Sequence, residues 1–293
     1  MYDIKELYEA QSVSDAVKLL TEHPEAKIIA GGSDVLIKMR EGKLAGCELV
    51  SIYGLDELRG VSIDDDGTIR IRPLTSFSHI TKNEIIQKYI NVLGEAVDMV
   101  GGPQIRNIGT IGGNVCNGVT SADSASTLHA YDAIMEITGE SGLRQVPVSD
   151  FYISAGKVDL HHNEVLTAIL IKKESYGGYF GHYIKYAMRN AMDIATTGCS
   201  ANVRLSSDRK TFENVRIAYG VAAPVPIRAS NAEAFLKGKS VNSEIISEFA
   251  KKALDDVNPR TSWRASRELR LQLIEELSKR AITKAVKLAG GEL

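Results

Sequence analysis

Apolar and polar positions along the first stretch of the chain predict a strand, an amphipathic helix and a second strand. Ser14 is placed to cap the helix, and Val17, Leu19 and Leu20 give it an apolar side. His23-Pro24 stops it, and the apolar run Lys27-Ile28-Ile29-Ala30 is broken by Gly31-Gly32. A further strand is predicted from Glu48 to Tyr53. Val61/Ile63 and Ile69/Ile71 alternate around Asp66-Gly67, a hairpin pattern, because Asp-Gly accepts the positive φ that a tight turn needs. Helical spacing follows from Ser78 to about Val100. The segment 101–126 holds six glycines, so it is predicted to be loop, although Ile105, Ile108, Ile111 and Val115 tie it to a core. Strands fit Ala133 to Thr138 and Glu164 to Lys172.

Tyr176-Gly177-Gly178-Tyr179 is the predicted domain boundary, giving residues 1–176 and 177–293. Beyond it, strands are predicted across Tyr183 to Arg204 and Asn214 to Val221, around a turn at Ser207-Asp208. Ser243 is placed to cap a helix running to about Val257. Thr261 or Ser262 is placed to cap another, in which Leu269, Leu273, Leu277, Ala281 and Ala285 form a buried stripe before Gly290-Gly291. Arg260, Arg264, Arg267 and Arg270 are expected to project from that helix, as a solvated face or as a dock for an acidic partner. The fold class predicted is α+β in both halves.

Composition narrows the function classes. The 293 residues are 44% hydrophobic and 25% charged with a formal net charge of -2, as in a globular protein with a real core. Aromatics are only 6% and the charge is balanced, which argues against nucleic-acid binding. No apolar run is long enough to span a membrane and the N-terminal stretch is acidic, so no membrane insertion and a cytoplasmic location are expected. Cys47, Cys116 and Cys199 lie far apart, and His129, His161, His162 and His182 share no ligand spacing, so no metal is expected on this chain. Cys116 is expected to pack as a small hydrophobe.

Two glycine loops are left to carry chemistry, IIAGGSDVL at 28–36 and IGTIGGNVCNGVTSADS at 108–124. Each follows an apolar, strand-like run. Such loops aim backbone N–H groups into a concavity and hold a diphosphate without a lysine; alternatively they are two tight turns. Neither matches a Rossmann or P-loop pattern.

Taken together, the loops resemble those of the FAD-binding subunits of molybdenum hydroxylases. PQIRN at 103–107, KYAMRNAMDIATTGC at 185–199, YGVAAPVPIR at 219–228 and PRTSWRASRELRLQLI at 259–274 extend the likeness, most closely to the bacterial xanthine dehydrogenase branch. The resemblance implies a two-lobed FAD-binding domain of the vanillyl-alcohol oxidase type plus a smaller C-terminal sheet-and-helix domain. It implies FAD contacts from Lys27, Ile28, Ile29, Ala30, Gly31, Gly32, Ser33, Asp34 and Val35, then from Thr110, Ile111, Gly112, Gly113 and Asn114. Asp123, Leu166 and Lys185 complete the set, with Lys185 a flavin-tuning residue and no catalytic side chain required. Eukaryotic members carry a Phe where this chain has Val100.

The implied role is an electron-transfer subunit. A partner would bind molybdopterin, another would carry [2Fe-2S] clusters, and FAD here would pass electrons to NAD+. Nicotinate or carbon monoxide dehydrogenase flavin subunits, or a free-standing flavin oxidoreductase, remain open alternatives.

Overall fold

In the computed structural model, which describes residues 2–293, buried apolar side chains gather in three cores, one behind each of three sheets. The first is a parallel sheet in the order Ile4–Glu9, Cys47–Ser51, Lys27–Ile29. The helix Val13–Glu22 packs Ala16, Val17 and Leu20 into it. Its cap is Ser12 rather than Ser14, because the Ser12 hydroxyl accepts the Asp15 N–H at 3.1 Å while the Asp15 carboxylate accepts that of Gln11.

The second sheet is antiparallel, in the order Val61–Ile63, Ile69–Ile71, Val165–Ile171, Ile134–Gly139, Gly142–Pro147. Its core is completed by helices where one long helix and a loop were expected. The span from Ser78 to Val100 contains Phe77–Lys82, Glu84–Tyr89 and Asn91–Asp98, because Asn83 ends one helix and caps the next, its Oδ1 accepting the N–H groups of Ile85 and Ile86. The glycine-rich 101–126 segment likewise folds into Pro103–Ile108, Ile111–Cys116 and the start of Asp123–Ala130. Pro103 opens the first of these, where a missing N–H is harmless, and Thr110 caps the second.

The third sheet runs Phe180–Tyr186, Thr197–Leu205, Phe212–Gly220, Ile227–Arg228, so the predicted strand 183–204 is two strands joined by an exposed crossing. Its far side is covered by Ser243–Lys252, capped by Asn242 rather than Ser243, and by the long helix Arg267–Leu288. That helix starts at Ser266, not at Thr261 or Ser262. Leu277, Ala281 and Ala285 of the expected stripe are buried, but over its first two members the stripe shifts by one position, Arg270 and Ile274 facing inward where Leu269 is exposed and Leu273 half-buried.

Arg270 therefore does not project away. It is 2% exposed and donates to the Thr196 carbonyl, the Arg260 carbonyl and the Ser262 hydroxyl, fixing the turn before its own helix. Arg260 and Arg267 remain exposed, and Arg264 stacks over Trp263. No helix among the described residues is long and apolar enough to cross a membrane.

Between the second and third sheets runs Asp123–Ala130, a helix whose eight residues are all buried. It packs on the strands Thr197–Leu205 and Phe212–Gly220 and on the helix Asn91–Asp98. Its His129 is bonded by Nδ1 to the Ala125 carbonyl at 2.8 Å, and burial brings its pKa down from 6.5 to about 4. The unfolded chain takes up this proton at higher pH than the folded one, so stability falls as pH drops through that window. From this group alone the loss between pH 7 and pH 5 is about 2 kcal/mol. Urea unfolding at the two pH values should show His129→Gln shedding that much of the acid sensitivity; an unchanged difference would assign the loss to other groups.

Candidate functional site

A cavity of about 710 Å³ lies where the two glycine loops meet. That is within the range of small-molecule and cofactor sites. The loop Ala30–Asp34 leaves the strand Lys27–Ile29, turns through Gly32 at φ +73°, and enters the helix Val35–Arg40. Facing it is the helix Ile111–Cys116. Phe77, Val100, Ile105 and Leu166 supply apolar wall.

The two loops differ in what they offer. Among the described residues, the N–H groups of Gly31, Gly32, Ser33 and Asp34 make no hydrogen bond within the protein. Those of the second loop are engaged: Ile111 donates to Thr75 O at 3.1 Å, Gly112 to Pro73 O at 2.8 Å, Gly113 to the Thr110 hydroxyl at 3.2 Å and Asn114 to Thr110 O at 3.0 Å. The expectation that both loops present free N–H groups thus holds for the first and is corrected for the second, where the Pro73 and Thr75 carbonyls and Thr110 take them up.

The glycines differ too. A Cβ on Gly31 would fall on the Ile108 carbonyl, and one on Gly112 on Pro73, so both are sites of close backbone packing. A Cβ on Gly113 would meet only the Thr110 hydroxyl, at 3.0 Å. Neither Gly112 nor Gly113 has a positive φ, because both lie in helix.

Of the predicted contact residues, Lys27, Ile28, Ala30, Gly31, Gly32, Ser33, Asp34, Val35, Thr110, Gly112, Gly113, Asn114 and Leu166 line the cavity. Ile29, Ile111, Asp123 and Lys185 do not. Ile111 is a core residue. Asp123 and Lys185 are paired with each other, their side chains 7% and 5% exposed and 2.8 Å apart. Asp123 also accepts from the Tyr183 hydroxyl at 2.7 Å, and Lys185 donates to Met99 O at 3.0 Å. Burial raises the Asp123 pKa, and the Lys185 charge opposes the rise.

Cys116 does line the wall, and burial pushes its thiol up to about 12, in keeping with a packing role. The sequence reading missed Lys38, Asn117, His161 and His162 as wall residues. Only Lys38 left a signal, being one helical turn beyond Asp34. No group of three metal-ligating side chains occurs among the described residues.

Comparison with known proteins places this geometry. Residues 2–172 match the family described as FAD binding domain in molybdopterin dehydrogenase, and residues 182–285 match the CO dehydrogenase flavoprotein C-terminal domain. The chain therefore belongs to the flavin-binding subunits of the molybdenum hydroxylases. Among them it is 42% identical over 293 residues to the xanthine dehydrogenase FAD-binding subunit of Escherichia coli O157:H7, with both chains covered in full. It is 29% identical to the carbon monoxide dehydrogenase medium chain of Hydrogenophaga pseudoflava, covering 96% of each. A solved structure of carbon monoxide dehydrogenase from that organism superimposes with a TM-score of 0.91 at 30% identity, covering 97% of this chain and 98% of that one. Quinoline 2-oxidoreductase from Pseudomonas putida 86 shares the fold, with a TM-score of 0.92, 24% identity and 99% of each chain covered.

Two predictions follow from this packing. Gly31→Ala forces a shift against backbone and should cost about 1–3 kcal/mol in the flavin-free chain, whereas Gly113→Ala should leave stability nearly unchanged and lower flavin occupancy. Melting curves and flavin absorbance check both; equal melting losses would contradict the assignment of Gly113 to the open wall. Asp123→Ala strands a buried ammonium and should cost about 3–5 kcal/mol, with much of it recovered in the double variant with Lys185→Met. Urea denaturation reads the recovery, and strict additivity of the two changes would mean the pair is not coupled.

Proposed function

We infer that this chain is the FAD-carrying electron-transfer subunit of a xanthine dehydrogenase. It stands between a [2Fe-2S] subunit, fed by a molybdopterin-binding subunit, and NAD+ as final acceptor. The observation that carries this is the four unbonded N–H groups from Gly31 to Asp34 on a cavity wall, in a chain 42% identical end to end to a xanthine dehydrogenase FAD-binding subunit. FAD, when bound, supplies both two-electron and one-electron transfer, so the protein has to position it and needs no acid–base pair of its own.

The residues suit that task. Free N–H groups on the first loop are donors for diphosphate oxygens. Phe77, Val100, Ile105 and Leu166 give apolar surface for a ring system and keep water from it. Asp34, exposed at the loop's end, is available to accept from a sugar hydroxyl. Asp123 holds the Lys185 ammonium on the Met99 carbonyl, next in the chain to Val100 on the wall, so the pair acts on the site by positioning.

Residues 1–176 form the flavin domain and 177–293 the second domain in this proposal, a division supported by family matches that end at 172 and resume at 182. Exposed Arg260 and Arg267, flanking a Trp263 that is 76% exposed, suit an acidic partner surface.

The test is co-expression with the genomically neighbouring molybdenum and iron–sulfur subunits. The purified complex should carry FAD on this chain, xanthine should bleach it, and NAD+ should restore it. Bleaching by carbon monoxide or nicotinate but not xanthine would reassign the substrate. Failure of NAD+ to restore the colour would remove NAD+ as acceptor, and an active complex without flavin on this chain would overturn the reading as a whole.

A further inference from the structure

We propose that Lys38 is a diphosphate-binding side chain of this cavity, held against Asn117 until an anion displaces it. The proposal rests on the flavin reading above. Lys38 lies four residues beyond Asp34 on the helix Val35–Arg40, hence on the same face. Long helical side chains lean toward the helix N-terminus, the end at which the loop with the free N–H groups enters this helix. Its Nζ donates to Asn117 Oδ1 at 3.0 Å, at the end of the facing helix, and both residues line the cavity.

Three features distinguish this bond from an ordinary surface contact. Lys38 is half-buried, yet among the described residues no carboxylate lies within 4.0 Å of its ammonium. It spans 79 residues of sequence to join the helix that follows the first loop to Asn117, which ends the helix of the second. And the wall it reaches has no spare backbone donors from Ile111 to Asn114, whose N–H groups are all engaged. A dinucleotide's diphosphate is anionic at both phosphorus atoms, and one loop of amides covers it from one side only. The Lys38 ammonium at the junction of the two walls is a charged group placed to cover the other. A neutral amide oxygen is a weaker partner for it than a phosphate oxygen, so exchange from Asn117 to the ligand is favoured. Glu164, a carboxylate on the same wall, does not compete, being held by Arg144 at 2.7 Å.

The test is titration of the flavin-free full-length chain with FAD, with ADP in competition, and with riboflavin, which has no phosphate. Lys38→Met should weaken FAD and ADP by roughly 10- to 100-fold, leave riboflavin unchanged and flatten the salt dependence of FAD binding. Lys38→Arg should retain most of the affinity. Asn117→Ala cuts the same clamp without removing the charge and should bind FAD as tightly as the parent chain or more so. Unchanged FAD affinity in Lys38→Met would overturn the proposal while leaving the flavin reading intact. Loss of riboflavin and FAD alike, or the same loss in Asn117→Ala, would overturn it in favour of a structural clamp. A parent chain that takes up neither FAD nor riboflavin would remove the flavin reading and this proposal with it.

Discussion

The fold turns on a helix with no exposed side. Asp123–Ala130 carries two serines, a threonine and a histidine into a space shared by two sheets, and although the Ser126 and Thr127 hydroxyls find no protein partner, the other polar groups are paired. Several are paired across the boundary between the cores. Asp123 receives Tyr183 and Lys185 from the third sheet, Ser124 donates to Asn114 on the second loop's helix, and Ala130 O accepts from Asn202. Just beyond, Asp132 takes Arg216 and Arg228. One short element thus fixes the second sheet, the third sheet and the helix bearing the second glycine loop relative to one another.

That placement explains why the cavity has unlike walls. The helix Ile111–Cys116 is anchored by Thr110, by Pro73 and Thr75, and through Asn114 to the buried helix, so its backbone donors are spent on holding the wall. The first loop hangs from the edge strand of a smaller sheet and keeps its donors unspent. Rigidity is concentrated on one side and ligand-directed polarity on the other.

The fold was largely legible in the sequence where signals are local. Asp66-Gly67 gave the hairpin, and the glycine loops marked the cavity because few other residues fit a left-handed turn or a backbone-to-backbone contact. Errors arose where a tertiary partner decides. Asn83 divides a continuous helical pattern because its side chain caps better than it propagates. Arg270 takes the inward place expected for Leu269 at the start of the last helix because carbonyls from distant segments solvate its guanidinium, which no hydropathy pattern encodes. Asp123 and Lys185 were each expected at the cofactor; instead of lining the cavity they pair with each other, a contact that depends on strand register, since Lys185 lies opposite Gly198, where no side chain intervenes.

Gly31 carries a consequence for the energetics of ligand capture. Because its backbone sits against the Ile108 carbonyl with no room for a side chain, the loop is braced from behind by the other half of the site. A glycine-rich loop free in solvent would surrender conformational entropy each time it closed on a ligand. Here that ordering is completed when the chain folds, so the amides are preorganised and more of their interaction energy is left for binding.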